Sequence, residues 1–577
     1  GLRDNNIGSL PADVPTIAES FRARGYRTGA VVAFLVLHPR YRLDRGFQSY
    51  DAPPMDADIQ RLMETPPPLQ DDGALTPYRR AGQIGDAALA WLRAGGRKPW
   101  FLWIHFYDPH TPLHWNRREV GAGFAHPYDA EVALMDQQVA RLLRHLDESG
   151  EAERTLVVAV GDHGESLGEH GEPMHGFLLY ESTLRVPLLV RHPGRIEGGR
   201  VCATPVSQVQ LAPTLLELAG VRPTAMLAAG WRDLKWLPPR APGDAVRADS
   251  LAPWLTGQRP ALPEMPCYGE SDYPYNTFNW APLRSLRQGR WKYVRAPRGE
   301  LYDLAADPGE QHDLSLVRTG MVASLERALT ELEDLMTPRE SGEVTLTGHE
   351  KRVLASVGYI GGKPSRPLAE VDITTLPDPK EVIEASRLYG RLARLMEANC
   401  PGDEAVALAT RLVTLSPGTA GFHAQMGFLR ERRGEIAPAI AAFTRAVELN
   451  PTRADYLCHL GILRVWTGDT AGALATCRKA YGILEGKAGT PDSLLGGINS
   501  AALLAARRRE LGVAGTLIEI SATLDKRHPG WQHARAIVRL MEGGRQEALT
   551  MLRRLTREYP DYRPARDALR KLDGGQP

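Results

Sequence analysis

The chain has 577 residues, too many for one hydrophobic core, and its length suggests three domains or two with one large. Its 70 basic and 69 acidic residues leave a net charge of +1, which gives no reason to expect nucleic acid or an anionic membrane as partner, and no run reaches the roughly 20 apolar residues that span a bilayer. Five cysteines (Cys202, Cys267, Cys400, Cys458 and Cys477) lack Cys-x-x-Cys spacing, so they are read as structural thiols and not as a zinc ribbon or disulfide framework.

The opening residues Gly1 to Asn6 read as loop, followed by a helix-like Thr16 to Arg24 and a strand-like Thr28 to Leu35. An α/β domain that begins on a helix and an inner strand is expected to have lost earlier elements, and any signal peptide with them. Trp100 to Ile104 is a second strand-like run. It feeds the loop His105-Phe-Tyr-Asp-Pro-His110-Thr-Pro112, where two prolines restrict the backbone and present His110. Tyr128 to Leu146 carries a helical apolar stripe at Val132, Met135, Val139, Leu142, Leu143 and Leu146.

Leu156 to Val160 is short, Val-rich and continuously apolar, the pattern of a strand buried on both faces of a parallel sheet. Gly161-Asp-His-Gly-Glu165-Ser-Leu-Gly-Glu-His170-Gly171 and His175 follow it. Chain leaving such a strand lines the crevice where α/β proteins place ligands, so Asp162 and His163 are expected to hold a cation. The alternative is an Asp that caps a helix N-terminus. His105 is expected to be buried and to orient its neighbours, while Glu165 and Glu169 are expected to face solvent or support the loop.

Farther on, Tyr180 to Arg185 is helix-like and Val186 to Val190 strand-like. The alternation predicts an α/β fold, a mostly parallel sheet sandwiched by helices. Met226 to Gly243 reads as a surface excursion, Trp280 as core packing in preference to a substrate mouth, and Trp291 to Arg295 with Gly299 to Leu304 as hairpin strands. The turn Asp307 to Glu310 closes this small C-terminal subdomain. The Pro-rich segment Lys363 to Lys380 reads as a linker.

Beyond it the sequence repeats. Gly427, Ala439, Phe443, Ala446 and Pro451 recur 34 residues later as Gly461, Ala473, Cys477 and Ala480, and 34 residues earlier as Ala405, Ala409, Leu412 and Pro417. Ala548, Leu552, Leu555 and Pro560 mark a degenerate further unit. This is the period and pattern of tetratricopeptide repeats. The expected organisation is therefore 1–365 as the α/β domain, 366–380 as linker and 381–577 as the helical repeat domain.

With these residues in view, the first domain resembles the sulfatase family of the alkaline phosphatase superfamily. The matching pieces are Gly1-Leu-Arg-Asp-Asn5, Gly25-Tyr-Arg-Thr-Gly29, Asp44-Arg-Gly-Phe47, the His105 to Pro112 loop, Gly161 to His175, Val186-Pro-Leu188, Ala212-Pro-Thr-Leu-Leu216, Glu300-Leu-Tyr-Asp303 and Val357-Gly-Tyr359. The resemblance implies an alkaline phosphatase-like fold and one divalent cation, with Asp162 and His163 as its ligands. Ca²⁺ is the family's usual ion, and an imidazole ligand also admits Mn²⁺ or Zn²⁺. It further implies His110 and His175 as catalytic groups that contact the sulfate and help the leaving oxygen depart, with His170 as an alternative to His175. Gln210 stands where an Asp is common, with a structural effect expected.

The resemblance also implies a formylglycine nucleophile made from Cys or Ser in a C/S-x-P-x-R motif. No such motif occurs in this sequence. The chain as given is therefore expected to be inactive alone, its nucleophile supplied by a missing N-terminal segment. The implied activity is hydrolysis of sulfate esters of small molecules or glycans. A phosphodiester or phosphonate monoester hydrolase, or a catalytically inactive platform that binds proteins through the repeats, are the alternatives. A periplasmic or extracellular location is implied by the same resemblance.

Overall fold

Alternating side chains of the strand Trp100–Ile104 serve two apolar layers, and this fixes the architecture of the N-terminal half. Phe101 stacks on Phe21 of the helix Ile17–Ala23, ring centroids 4.4 Å apart, beside Leu216 of the helix Leu211–Leu218. Leu102 and Ile104 pack instead with Ile84, Ala88 and Leu89 of the helix Ala81–Arg93 and Leu142 of the helix Pro127–Glu148. Full burial of such a side chain contributes about 1.5–3 kcal/mol, and the partly buried Phe101, Leu102 and Ile104 contribute less. In this computed structural model the described residues are 8–53, 78–96, 98–110, 123–224, 250–336, 342–343, 368–397, 402–484 and 490–573.

The sheet between those layers is parallel, with Arg27–Val31 in the middle, Ser49–Asp51 on one side and Trp100–Ile104 on the other. Helices cover both faces, so the fold is the expected α/β sandwich. Gly29 is required in the central strand: a Cβ there would lie 2.3 Å from the Trp91 indole. That indole also carries the Arg27 guanidinium over its face at 3.5 Å. Thr16 and Glu19 form a capping box that starts the first helix, each side chain accepting from the other residue's backbone N–H.

One expected strand differs. Val157–Val160 pairs antiparallel with Leu188–Arg191, and Val160 is 44% exposed, so among the described residues it is not a doubly buried parallel strand. The reason lies in the loop between them. Gly161 N–H donates to Pro187 O and Gly164 N–H to Thr183 O, so the intervening chain folds back on itself like a long hairpin and returns beside its own start. Leu156, Leu188 and Val190 still pack against Leu218, Leu251 and Leu255.

The small subdomain is a four-stranded antiparallel sheet of Cys267–Ser271, Leu283–Gln288, Trp291–Arg295 and Glu300–Asp303, with the last two forming the expected hairpin. Leu325, Leu329 and Leu332 of the helix Thr319–Leu335 cover Leu286, Tyr293 and Leu301. Lys292 is fully buried and held by Glu310 at 2.7 Å and Glu181 at 3.2 Å.

The chain forms two compact units, one of residues 1–277 and 281–362, the other of Phe278–Trp280 with 363–577. The described part of the second unit, beyond Phe278–Trp280, is helical from Pro379 onward, with short 3₁₀ turns at Leu368–Glu370 and Ile373–Thr375, so the helix begins inside the stretch expected to be linker. Eleven helices follow between Pro379 and Asp573 among the described residues. Their repeat positions are core: Ala439, Phe443, Ala446, Ala473, Cys477, Ala480, Ala548 and Leu552 are all 0% exposed. Small residues let the paired helices meet, since a Cβ on Gly427 would come 2.7 Å from the Phe443 ring and one on Gly461 2.5 Å from Cys477 Sγ. Trp280 is core as expected, its indole N–H donating to the hydroxyls of Ser416 and Thr419 at 3.0 Å. Cys458 and Cys477 are buried structural thiols, with burial pushing the Cys477 thiol up to about 12, whereas Cys202 is exposed. The residues Gly1 to Asn6, Thr111 and Pro112, Met226 to Gly243, Val357 to Tyr359 and Cys400 lie outside the described residues.

Candidate active site

The loop that leaves Trp100–Ile104 is ordered by aromatic stacking. Phe34 and Tyr107 stack at 4.6 Å, His110 lies on Tyr107 at 4.4 Å, and the His110 N–H donates to Tyr107 O, which turns the chain at the stiff Asp108-Pro109 step. His110 is thereby nearly buried, 9% exposed. His105 anchors the start of this loop: its N–H donates to Val31 O and its Nδ1 accepts from Ala33 N–H at 3.3 Å. Burial pushes the His105 pKa down, opposed by the Asp162 carboxylate, and the bond from Ala33 N–H makes the ring one that orients its neighbours.

The second loop, 161–175, is held by bonds its sequence does not advertise. Gln208 donates through Nε2 to the carbonyls of Gly161 and Asp162, at 2.8 and 2.9 Å. Gly164 lies so close to the next segment that a Cβ would meet Ser182 O at 2.3 Å. Ser166 N–H donates to Met174 O and its hydroxyl to Glu172 O. Glu172 is buried and accepts from Phe177 and Leu178 N–H through Oε1, and burial raises its pKa to about 7. These contacts bring His163 and His175 back to back, their ring centroids 4.1 Å apart, with His110 4.7 Å from His175 and 5.8 Å from His163. One ring nitrogen from each of the three lies within 4.8 Å of the others.

Each imidazole of the second loop has its Nδ1 engaged. His163 Nδ1 donates to Gly164 O at 3.0 Å, and His175 Nδ1 donates to Glu165 Oε2 at 3.1 Å. In the neutral tautomer that leaves Nε2 of both rings as the lone-pair nitrogen. Asp162 is exposed; it accepts from the His163 N–H through Oδ1, and its Oδ2 is 3.9 Å from His163 Nε2. No helix follows Asp162, so the helix-capping alternative does not hold.

His110, His163 and His175 thus converge, with Asp162 at the exposed edge. His170 does not join them: it stacks on Tyr180 at 3.6 Å and bonds Gly309 O. Glu165, expected to face solvent or support the loop, is 5% exposed and orients His175; the ten-residue separation carries no periodic signal because only the folded loop closes it. Glu169 supports the loop, as expected, by accepting from Leu167 N–H. Gln210 is structural, its Oε1 accepting from Ser207 N–H. Tyr78, Arg80, Asp108 and Glu131 line a small polar cavity beside His110 that no sequence signal marked.

An oxygen ligand and an imidazole nitrogen on one divalent cation are separated by about 3–4 Å, which fits the Asp162–His163 spacing. Three imidazole nitrogens beside one carboxylate are a nitrogen-rich set for Ca²⁺, which prefers six to eight oxygens.

A helix-covered α/β unit with a histidine-lined polar centre is the class that this geometry defines. The family model described as Sulfatase matches residues 2–221. The chain is 36% identical over 191 residues to the steryl-sulfatase of Mus musculus, covering 31% of this chain and 29% of that protein. It is 31% identical over 191 residues to the choline-sulfatase of Rhizobium meliloti (strain 1021), covering 33% and 32%. The solved structure of Ps i-CgsB in complex with k-i-k-neocarrahexaose aligns over 61% of this chain and 80% of its own, at 18% identity and a TM-score of 0.44. The chain spans about a third of the length of these curated relatives.

Proposed function

We propose that the first unit contributes to the hydrolysis of sulfate esters, with Asp162 and His163 as ligands of a divalent cation and His110 and His175 as the groups that address the ester. The convergence of His110, His163 and His175 supports this reading. A bound cation would supply positive charge where negative charge develops on the transferred group. His110, packed on Tyr107, is held to donate a hydrogen bond to an ester oxygen. His175, its Nδ1–H committed to Glu165, would give the departing alcohol its proton from Nε2 when the ring carries one on both nitrogens, and would return to the neutral tautomer with Nε2 unprotonated. The nucleophile is assigned to a formylglycine outside this sequence, which contains no C/S-x-P-x-R motif. Sulfated small molecules or glycans are the substrate class, and the helical repeats offer a surface for a protein partner. No helix among the described residues is long and apolar enough to cross a membrane.

Calorimetric titration of this chain with 4-nitrophenyl sulfate in the presence of Mn²⁺ tests the reading without turnover. Binding is expected, weakened at least 10-fold in His110→Ala and His175→Ala. Equal binding by both variants overturns the roles given to them, and tighter binding of an aryl phosphodiester than of the sulfate turns the substrate class to phosphoesters. The chain alone is expected to release no 4-nitrophenol; steady release would overturn the external nucleophile.

A further inference from the structure

Among the described residues of the helical unit, four turns join paired helices, at 433–435, 467–469, 508–510 and 542–544. In each, one residue takes a left-handed backbone and donates its N–H to the carbonyl three residues back. Three of these are Gly434, Gly468 and Gly543, which adopt that conformation without steric cost; the fourth is Arg509, at φ 64°. The charges of the turns differ as well. Arg433 pairs with Glu435 at 2.8 Å, Arg464 with Asp469 at 3.8 Å and Arg539 with Glu542 at 3.1 Å. Arg509 instead closes the run Arg507-Arg508-Arg509, whose side chains are all exposed and, among the described residues, make no ion pair or side-chain hydrogen bond. Glu510, the carboxylate of this turn, is drawn away by the Trp466 indole, whose N–H donates to it at 2.6 Å. Like charges held side by side repel, and nothing in the turn offsets it. Leu504 and Leu511 flank the run, 45% and 37% exposed, and with Met541 they are the exposed large apolar side chains of the helical unit among the described residues. Arg508 N–H donates to Leu504 O, so that leucine lies one helical turn from the arginines. Residues 501–577 carry 15 basic side chains against 9 acidic, in a chain that is otherwise balanced.

We propose that Arg507, Arg508 and Arg509, with Leu504 and Leu511 beside them, dock an acidic segment of a partner protein, one in which Asp or Glu alternates with apolar residues. Guanidinium groups take carboxylates through paired hydrogen bonds, and the two leucines give the apolar side chains of the same segment a surface to cover. A sulfated glycan would answer the arginines and leave the leucines in water, so a protein is the class the patch fits. The proposal rests on the reading of the repeats as a surface for a protein partner, gives that surface a place and a charge, and makes no use of ester hydrolysis.

The test follows the fluorescence anisotropy of a short labelled peptide of alternating Glu and Leu titrated with the whole chain, beside the same peptide with Gln for Glu, and beside labelled heparin as the sulfated glycan. The Glu peptide is expected to bind, more weakly as salt is raised, and the Gln peptide about 10-fold more weakly still. Arg509→Gly installs the residue that the other three turns carry, so it is expected to keep or raise the unfolding midpoint while peptide affinity falls about 10-fold. Arg507→Ala/Arg508→Ala and Leu504→Ser are expected to lose a similar factor. Lys526→Ala/Arg527→Ala removes two exposed charges from the following turn and is expected to bind as wild type does. An equal loss in that control overturns the proposal, since general positive charge would then suffice. Peptide affinity that persists in the arginine variants sinks this site and leaves the repeats a protein-binding surface. Tighter binding of heparin, unchanged by Leu504→Ser, would give the arginines to a glycan and sink both. Binding of 4-nitrophenyl sulfate is expected to be the same in all these variants, so the hydrolase reading stands or falls separately.

Discussion

Glu165, His170 and Glu172 sit within eight positions of one another and serve three separate ends: one orients an imidazole, one stacks outside the site, one pins two backbone amides. The strand-then-glycine pattern marked this stretch as the place for chemistry. Which side chains turn inward depends on Gln208, Thr183 and Pro187, far along the chain, so no local pattern carried it. Glu172 gives a pH prediction. Its carboxyl has an ordinary value of 4.5 and is pushed up to about 7 by burial, so between those values the folded chain holds a proton that the unfolded chain has released. Stability from this group is full below pH 4.5 and falls as pH rises through 7. Glu172→Gln keeps an acceptor for Phe177 and Leu178 N–H and removes the titration. It is expected to flatten this slope and to exceed wild type by about 3 kcal/mol at pH 8, checked by denaturant unfolding of both proteins at pH 4.5 and 8.

Among strands and helices, the runs with a clear apolar period were legible. The stripe from Tyr128 to Leu146 lies in the helix Pro127–Glu148, and Trp100 to Ile104 is a strand with those bounds. Leu156 to Val160 was legible as a strand but not in its pairing, because a four- or five-residue apolar run reads the same in either direction of pairing. The central strand offers a sharper test. Gly29→Ala drives a methyl into the Trp91 indole and is expected to cost about 1–3 kcal/mol, with the cost reduced in a Trp91→Leu background, as a double-mutant cycle would report. If the two changes add without coupling, the close approach of strand and indole is not what requires glycine there.

The two compact units differ in how they are built, and the difference sets what each tolerates. In the second unit each helix pair packs on its neighbours through small residues, so Phe443→Ala, at 0% exposure, is expected to cost about 3–5 kcal/mol and to lower the unfolding midpoint of the helical unit. Metal titration of the histidine cluster is expected to be unchanged in that variant; a parallel loss would show that the cluster depends on the repeats. The helical period of 34 residues and the Gly, Ala and Pro positions stood in the sequence because each repeat buries its face against the next by local contacts. The α/β class was readable for a similar reason, since strand and helix periods are local. The meeting of His110, His163 and His175 was readable only as a likeness of motifs. Their actual approach, the burial of Glu165 and the antiparallel return of Leu188–Arg191 rest on bonds between distant segments, which exist once the chain has closed on itself and have no counterpart in the order of residues.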